Sequence, residues 1–205
     1  MVLGRSSAVE RMRTVAALYA AEADAKNAIV PDFHTVRQAM NVASADQRVL
    51  VVVYGSSSAI EPLRTSLRTV ASDSRIIGRF HFDFESDGAW KKHVSGLQME
   101  SGIALIRPGE FGIDGTVMTQ LPLTADHHAV VQALLAANAE FARTTEKKVY
   151  ADHVARGQRQ GIYFEGAVPY GEDRDGDGLV DRILRGRGAG RSTRSRGGSG
   201  RGSRP

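Results

Sequence analysis

The hydrophobic pattern is organised around a run from Val49 to Tyr54, six consecutive apolar or aromatic residues of which four are valine. A continuous apolar run bounded by a turn predicts a strand buried on both faces, inside an α/β sheet. The run ends at Gly55-Ser56-Ser57-Ser58, and apolar residues at helical spacing follow as far as Val70. Ligands of open α/β sheets bind where strands end and helices begin. This turn is therefore the first candidate site.

Helix and strand patterns alternate over the rest of the chain. Apolar residues at spacings of three and four predict helices over residues 8–29, 32–43, 60–71, 87–96 and from 124 onward. Alternation or short apolar runs predict strands over residues 75–84, 103–106 and 111–121. In the first of these strands, phenylalanines alternate with His81 and Asp83, which places the two polar residues on a wetter face. This order predicts an α/β fold, a mixed central sheet with helices on both faces.

The same pattern divides the chain into segments. We expect an N-terminal helical extension over residues 1–31, an α/β domain over 32–143, a helical extension and linker over 144–184, and a tail over 185–205. Asp32 and Thr124 are the expected N-caps of the helices that follow them. Glycine content rises and periodicity disappears from Gly157 onward, which predicts that packing ends there.

Three local features of residues 32–143 resemble the thioredoxin-like fold. The helix before Val49 and the valine-rich strand are similar to that family's entry helix and central strand. Pro62 resembles the family proline a few residues into the helix after the active-site turn, and Ile103-Ala-Leu-Ile-Arg-Pro-Gly-Glu110 resembles the strand and hairpin near the substrate groove. The resemblance implies a three-layer sandwich.

The departures from that family decide what the resemblance implies about function. In thioredoxins the turn after the central strand holds a Cys-x-x-Cys pair with an activated thiolate. Gly55 to Ser58 stand there instead, the chain has no cysteine, and Ser101-Gly102 stand where the groove proline is expected. Thiol–disulfide exchange and a redox cofactor are therefore excluded. A redox-inactive member implies a binding or scaffolding role with an unidentified protein partner.

The serine turn supports three interpretations. Ser57 or Ser58 can cap the following helix, which is the common use of serine before a helix. The amides of the helix start can bind an anion. As an alternative function, a serine nucleophile can act with His81 or His93 in a thiol-independent enzyme. No Gly-x-Ser-x-Gly elbow surrounds the serines.

The most specific local motif is the acidic stretch from Asp173 to Asp181. Carboxylates at alternate positions followed by Gly178 direct oxygen ligands at one point, which suits calcium. The stretch resembles the calcium loops of thrombospondin type 3 and dockerin repeats and the first half of an EF-hand. Leu184 occupies the twelfth position, where an EF-hand has glutamate, so binding is expected to be weak. The predicted ligands are the side chains of Asp173, Asp175, Asp177 and Asp181 and the carbonyl of Leu179.

The alternative interpretation of the same stretch is a solvated acidic linker with an Asp-Gly turn. Magnesium is a poor competitor for such a flexible loop, since it demands near-octahedral geometry. Glu165 or Glu172 offers a further carboxylate that would complete a calcium site.

The charge of the chain is concentrated in its last residues. The net charge is +4, and residues 185–205 carry seven arginines and no acidic residue, so residues 1–184 carry −3. Without large apolar residues this tail is expected to be disordered. It resembles Arg-Gly-Gly tails, which predicts nonspecific contact with nucleic acid or another anionic surface; a solubilising tail is the alternative. The predicted contact residues are Arg185, Arg187, Arg191, Arg194, Arg196, Arg201 and Arg204.

Two further observations bear on compartment. No apolar run approaches the length of about 18 residues that a membrane helix requires. The start of the chain lacks the apolar core of a signal peptide. A cytoplasmic protein is expected from the chain as it stands, and a cell-envelope or extracellular one if an upstream signal has been removed.

Overall fold

The computed structural model describes residues 30, 32–33, 35–164 and 171–183. The helix predicted over residues 8–29 and the arginine-rich tail over 185–205 lie outside these residues. Their predictions therefore stay predictions.

Five strands form one mixed sheet in the order β2-β1-β4-β5-β3. β1 runs parallel to β2 and antiparallel to β4, and β4 runs antiparallel to β5. β1 therefore lies inside the sheet, and all six of its residues are buried, as the sequence predicts. The strands are β1 (Val49–Tyr54), β2 (Phe80–Glu85), β3 (Val94–Ser95), β4 (Gly102–Pro108) and β5 (Gly115–Leu121).

Helices cover both faces of this sheet, which confirms the predicted α/β architecture. Alternate residues of β1 face opposite layers: Val49, Val51 and Val53 belong to one apolar cluster, and Leu50, Val52 and Tyr54 to another. The first cluster includes residues of α2 and α3, the second residues of α1 and Trp90. Each fully buried valine or leucine contributes about 1.5–3 kcal/mol. The helices are α1 (Val36–Asp46), α2 (Ser57–Ala71), α3 (His127–Thr144) and α4 (Tyr150–Arg159).

The strand predicted over residues 75–84 begins only at Phe80. The carboxylate of Asp73 accepts a hydrogen bond from the backbone amide of Arg75 at 2.8 Å and another from its side chain. These bonds stabilise turns in the residues just before Phe80. The predicted helix around Trp90 is a five-residue 3-10 helix, Ala89–His93, and Val94 already belongs to β3. Short elements of this kind carry too little periodicity to be located from sequence.

The caps of two helices differ from the sequence prediction. Thr35 caps α1, accepting from the amide of Gln38, and Asp126 caps α3, accepting from the amide of Ala129. Asp32 makes a different contact: its Oδ1 accepts from the amide of Phe84 at 3.2 Å. Asp32 therefore fastens the chain before α1 to the edge strand β2 instead of capping the helix.

Packing continues well beyond Gly157, against the prediction. Ile162 and Phe164 are buried together with Phe111 in a third apolar cluster beside α1. Gly157 lies inside α4, where an added Cβ would overlap the ring of Phe164. The glycine permits close approach of a ring to the helix, and sequence alone cannot distinguish that use from a loop signal.

Asp83 is the least expected residue of the core. The alternation of polar and aromatic residues in β2 predicts that it faces solvent, yet it is completely buried. One carboxyl oxygen accepts from the amide of Phe33 at 3.3 Å, and the carboxylate of Asp32 lies close to the same side chain. Burial, with the nearby carboxylates of Asp32 and Glu85, raises the pKa of Asp83 well above the usual value for aspartate. The folded protein therefore keeps a proton on Asp83 that the unfolded chain releases near pH 4.

Because the folded-state pKa is raised, the stability linked to Asp83 is complete below pH 4 and is lost as the pH rises. We expect the free energy of unfolding of the wild type to fall between pH 5 and pH 8, relative to Asp83→Asn, by up to about 1.4 kcal/mol per pH unit. Urea denaturation of the wild type and of Asp83→Asn at several pH values measures this difference. Both proteins contain the same histidines, so the contribution of histidine titration cancels in the comparison. Asp152→Asn changes an exposed aspartate on α4 and serves as the control. Its free energy of unfolding should depend on pH as that of the wild type does. Parallel curves for Asp83→Asn and the wild type would show that Asp83 is ionised in the folded state.

Candidate metal centre

The acidic stretch is the connection of a small hairpin made by β6 (Gly171–Glu172) and β7 (Arg182–Ile183). Carboxylate oxygens of Asp173, Asp175 and Asp177 all lie within 4.8 Å of one another. The side chain of Asp173 is half-buried and those of Asp175 and Asp177 are exposed. Three of the five predicted ligands are therefore brought together with access from solvent.

Backbone amides of the loop hold these carboxylates in place. Asp173 accepts from the amides of Gly176 at 2.8 Å and Gly178 at 2.9 Å, through different oxygens. Asp177 accepts from the amide of Leu179 at 2.7 Å. Each carboxylate accepts on the loop side and keeps lone pairs for a cation, since an ionised carboxylate has about four acceptor sites. These hydrogen bonds fix the positions of the carboxylates in the loop.

The other two predicted ligands are placed differently. Asp181 lies outside the cluster, and its Oδ2 accepts from the amide of Arg174 at 2.6 Å, which closes the loop. Leu179 is 44 % exposed and pairs across an isolated bridge with Ile162. The Leu179 carbonyl stays a prediction.

That bridge fastens the loop to the rest of the molecule. The amide of Tyr163 donates to the carbonyl of Gly178 at 2.9 Å, and the amide of Val180 donates to the carbonyl of Gly161 at 2.7 Å. Ile162, between them, is buried in the third apolar cluster. The loop is therefore part of the folded unit, which the interpretation as a solvated linker did not anticipate.

Arg37 makes a second attachment, from the second residue of α1. Its Nε donates to the carbonyl of Asp177 at 3.1 Å, and its guanidinium packs against Gly178, where an added Cβ would overlap it. The side chain is only 6 % exposed. Burial lowers the pKa of Arg37, and the negative charges of Asp173 and Asp177 oppose that shift. The acidic loop is thus the electrostatic counterpart of a buried cation.

Sequence reasoning missed Arg37, although a signal was present. Arg37 and Asn41 stand four residues apart and therefore on one face of α1, beside the apolar stripe. Both are buried, and the side-chain amide of Asn41 donates to the carbonyls of Phe111 and Tyr163. A polar pair at helical spacing beside a core stripe indicates buried polar contacts, but it does not show what they contact.

The serine turn is more open than the acidic loop. Ser56, and not Ser57 or Ser58, is the N-cap of α2, and its side chain makes no capping hydrogen bond. Ser56 Oγ lies 3.2 Å from Ser58 Oγ on the exposed surface. An added Cβ at Gly55 would lie 3.2 Å from the Cβ of Ser101, so the serine turn lies beside the start of β4.

Neither candidate histidine is bonded to those serines within the part of the chain that the structure describes. His81 Nε2 lies 2.9 Å from Asp46, and burial lowers the pKa of His81. His93 ends the 3-10 helix and borders a cavity shared with Asp175. The thiol-independent enzyme therefore stays an alternative prediction. The nucleic-acid-binding tail also stays one, because residues 185–205 lie outside the described residues.

Comparison with family models, with curated proteins and with solved structures gave no match. The arguments for fold and function consequently rest on this chain alone. Among the described residues no helix is both long and apolar enough to span a bilayer.

Gly178 and Gly176 provide a matched test of the attachment by Arg37. Both have positive φ, +85° and +73°, so alanine brings similar backbone strain at either position. An added Cβ at Gly178 meets the Arg37 guanidinium, whereas one at Gly176 meets nothing within 4 Å. We expect Gly178→Ala to reduce the hydrogen-exchange protection of the Tyr163 and Val180 amides about tenfold more than Gly176→Ala does. Equal losses would contradict the attachment.

Proposed function

We propose that this protein is a thiol-free, thioredoxin-like binding module whose aspartate loop binds Ca²⁺. The fold part of the proposal is supported by the strand arrangement. β1 and β2 are parallel and joined through α2, and an antiparallel β4–β5 pair beside β1 is followed by α3. That is the arrangement expected from the element order that resembles the family. The absence of cysteine keeps the role non-catalytic with respect to thiols.

One observation carries the metal part of the proposal: the convergence of three carboxylates on an ordered loop. Calcium takes six to eight oxygen ligands at 2.3–2.6 Å in flexible geometry, and exposed carboxylates and water supply such oxygens. Asp173, Asp175 and Asp177 present oxygens within 4.8 Å of one another, a spacing that one ion can bridge. A cation there also relieves the mutual repulsion of three negative charges.

The loop is held to α1 and to the segment at Ile162 by contacts that do not involve the carboxylate cluster. Attachment reduces the ordering cost of binding, which strengthens affinity. The small number of protein ligands and the exposure of Asp175 and Asp177 weaken the calcium affinity. We therefore expect a dissociation constant in the range of extracellular calcium modules, about 10⁻⁴–10⁻³ M.

Isothermal titration of the whole chain with CaCl₂ tests the proposal. We expect one saturable site per chain in the submillimolar to millimolar range for the wild type. Asp175→Asn and Asp177→Asn each remove an anionic ligand and should weaken binding about tenfold, because affinity follows the number of charged ligands.

Asp152→Asn is the matched control, since it removes an exposed aspartate from α4, away from the cluster. It should leave the isotherm unchanged. Titration with MgCl₂ should give weaker heats, because the loop does not offer an octahedral cage. Absence of saturable calcium binding below 10 mM in the wild type, about tenfold above the expected range, would refute the metal site.

A further inference from the structure

The guanidinium of Arg37 is incompletely satisfied. Nε donates to the carbonyl of Asp177, but Nη1 and Nη2 are both buried and have no hydrogen-bond partner among the described residues. Because Arg37 is only 6 % exposed, an acceptor for these donors must enter beside the buried side chain. A buried charge is costly unless it is paired and hydrogen-bonded. Two unsatisfied donor groups on one cation therefore indicate a missing acceptor.

Arg37 contributes to the wall of a cavity of about 250 Å³. Its wall includes the N-cap Thr35, Asn41 of α1, Tyr163, and Asp173 and Gly178 of the acidic loop. The volume is below the usual range of about 300–1,000 Å³ for drug-sized ligands. The space suits one small group or the end of a larger molecule.

The donors of Arg37 that lack a partner have a defined geometry. Because Nε is already engaged, the free donors are the end-on pair, Nη1 and Nη2. Two parallel N–H groups match two oxygens of one planar carboxylate, and such bidentate contacts are the strong form of this interaction. We propose that Arg37 binds a carboxylate group in this cavity and that its binding is coupled to calcium in the neighbouring loop. The coupling rests on the proposed calcium site.

Electrostatics explains why the two ligands should bind together. Asp173, Asp177 and Asp114 all act on the charge of Arg37. Without a cation, an arriving anion would be repelled by these carboxylates. A calcium ion offsets two of the three negative charges of Asp173, Asp175 and Asp177 and so reduces the repulsion that an anion meets beside Arg37. By linkage, the anion must then raise calcium affinity by the same factor.

The same charges favour a carboxylate over a phosphate. A carboxylate carries one negative charge, whereas a phosphate monoester carries between one and two near neutral pH. The additional charge would meet the carboxylate of Asp173 in the cavity wall. The two oxygens of a carboxylate match the two Nη donors of Arg37. A phosphate has a third free oxygen, for which Arg37 offers no donor.

The test uses the full chain and three salts at equal ionic strength: sodium acetate, sodium methyl phosphate and sodium chloride. ¹⁵N NMR of the Arg37 side chain follows anion binding, and calorimetry follows calcium binding in each salt. We expect acetate to shift the Arg37 Nη signals saturably in calcium-loaded protein. Acetate should also tighten calcium binding about fivefold relative to chloride, the lower end of typical couplings.

Arg37→Lys keeps the positive charge but removes the fork. In chloride it should bind calcium more weakly than the wild type, because the bond from Nε to the Asp177 carbonyl is lost, and acetate should no longer change its calcium affinity. Since the wild-type NMR titration needs no variant, the test stands even if Arg37→Lys folds poorly.

Three results would overturn the inference while leaving calcium binding intact: no acetate shift at Arg37, an equal acetate affinity with and without calcium, or methyl phosphate binding as tightly as acetate. Absence of calcium binding in every salt would instead refute the proposed function, and the coupling would fall with it.

Discussion

The need to cover both faces of β1 determines the arrangement of the molecule. Every residue from Val49 to Tyr54 is buried, so neither face of this strand tolerates water. One layer of helices covers only one face, which is why α2 and α3 lie on one side and α1 on the other. Since apolar burial contributes about 25 cal/mol per Å², a chain that left either face open would lose much of its stability. The three layers follow from this single strand.

The position of α1 in turn determines the candidate site. Its apolar stripe faces the sheet, and this orientation turns the flanking residues Arg37 and Asn41 toward the segment after α4. Asn41 contacts the carbonyl of Tyr163, and Arg37 contacts that of Asp177. The acidic loop is therefore held against the helix that packs on β1. A distant hairpin thereby becomes part of the same folded unit as the central strand.

The sequence predicts the elements whose signal is local and long. β1, the mixed sheet and the long helices were found from periodicity, and so were the three aspartates that converge. The features that were missed depend on contacts between distant residues. The alternating pattern predicts a solvent-exposed position for Asp83. In the structure the segment of Asp32 and Phe33 is hydrogen-bonded to β2, and Asp83 is buried. Gly157 reads as a loop signal, yet Phe164 packs against it. Spacing along the chain carries no information about either contact.

Arg37 contributes two opposing effects to a cation in the loop. Its bond to the Asp177 carbonyl fixes the loop, which lowers the ordering cost of binding. Its positive charge, however, repels a cation: two unit charges 4 Å apart interact by about 4 kcal/mol at the effective dielectric constant near a protein surface. Neutralising Arg37 by mutation would remove both effects together. An anion held by Nη1 and Nη2 would remove only the repulsion, because the bond from Nε stays in place. A bound carboxylate is therefore the one change that keeps the loop fixed and still makes it a better site for a cation.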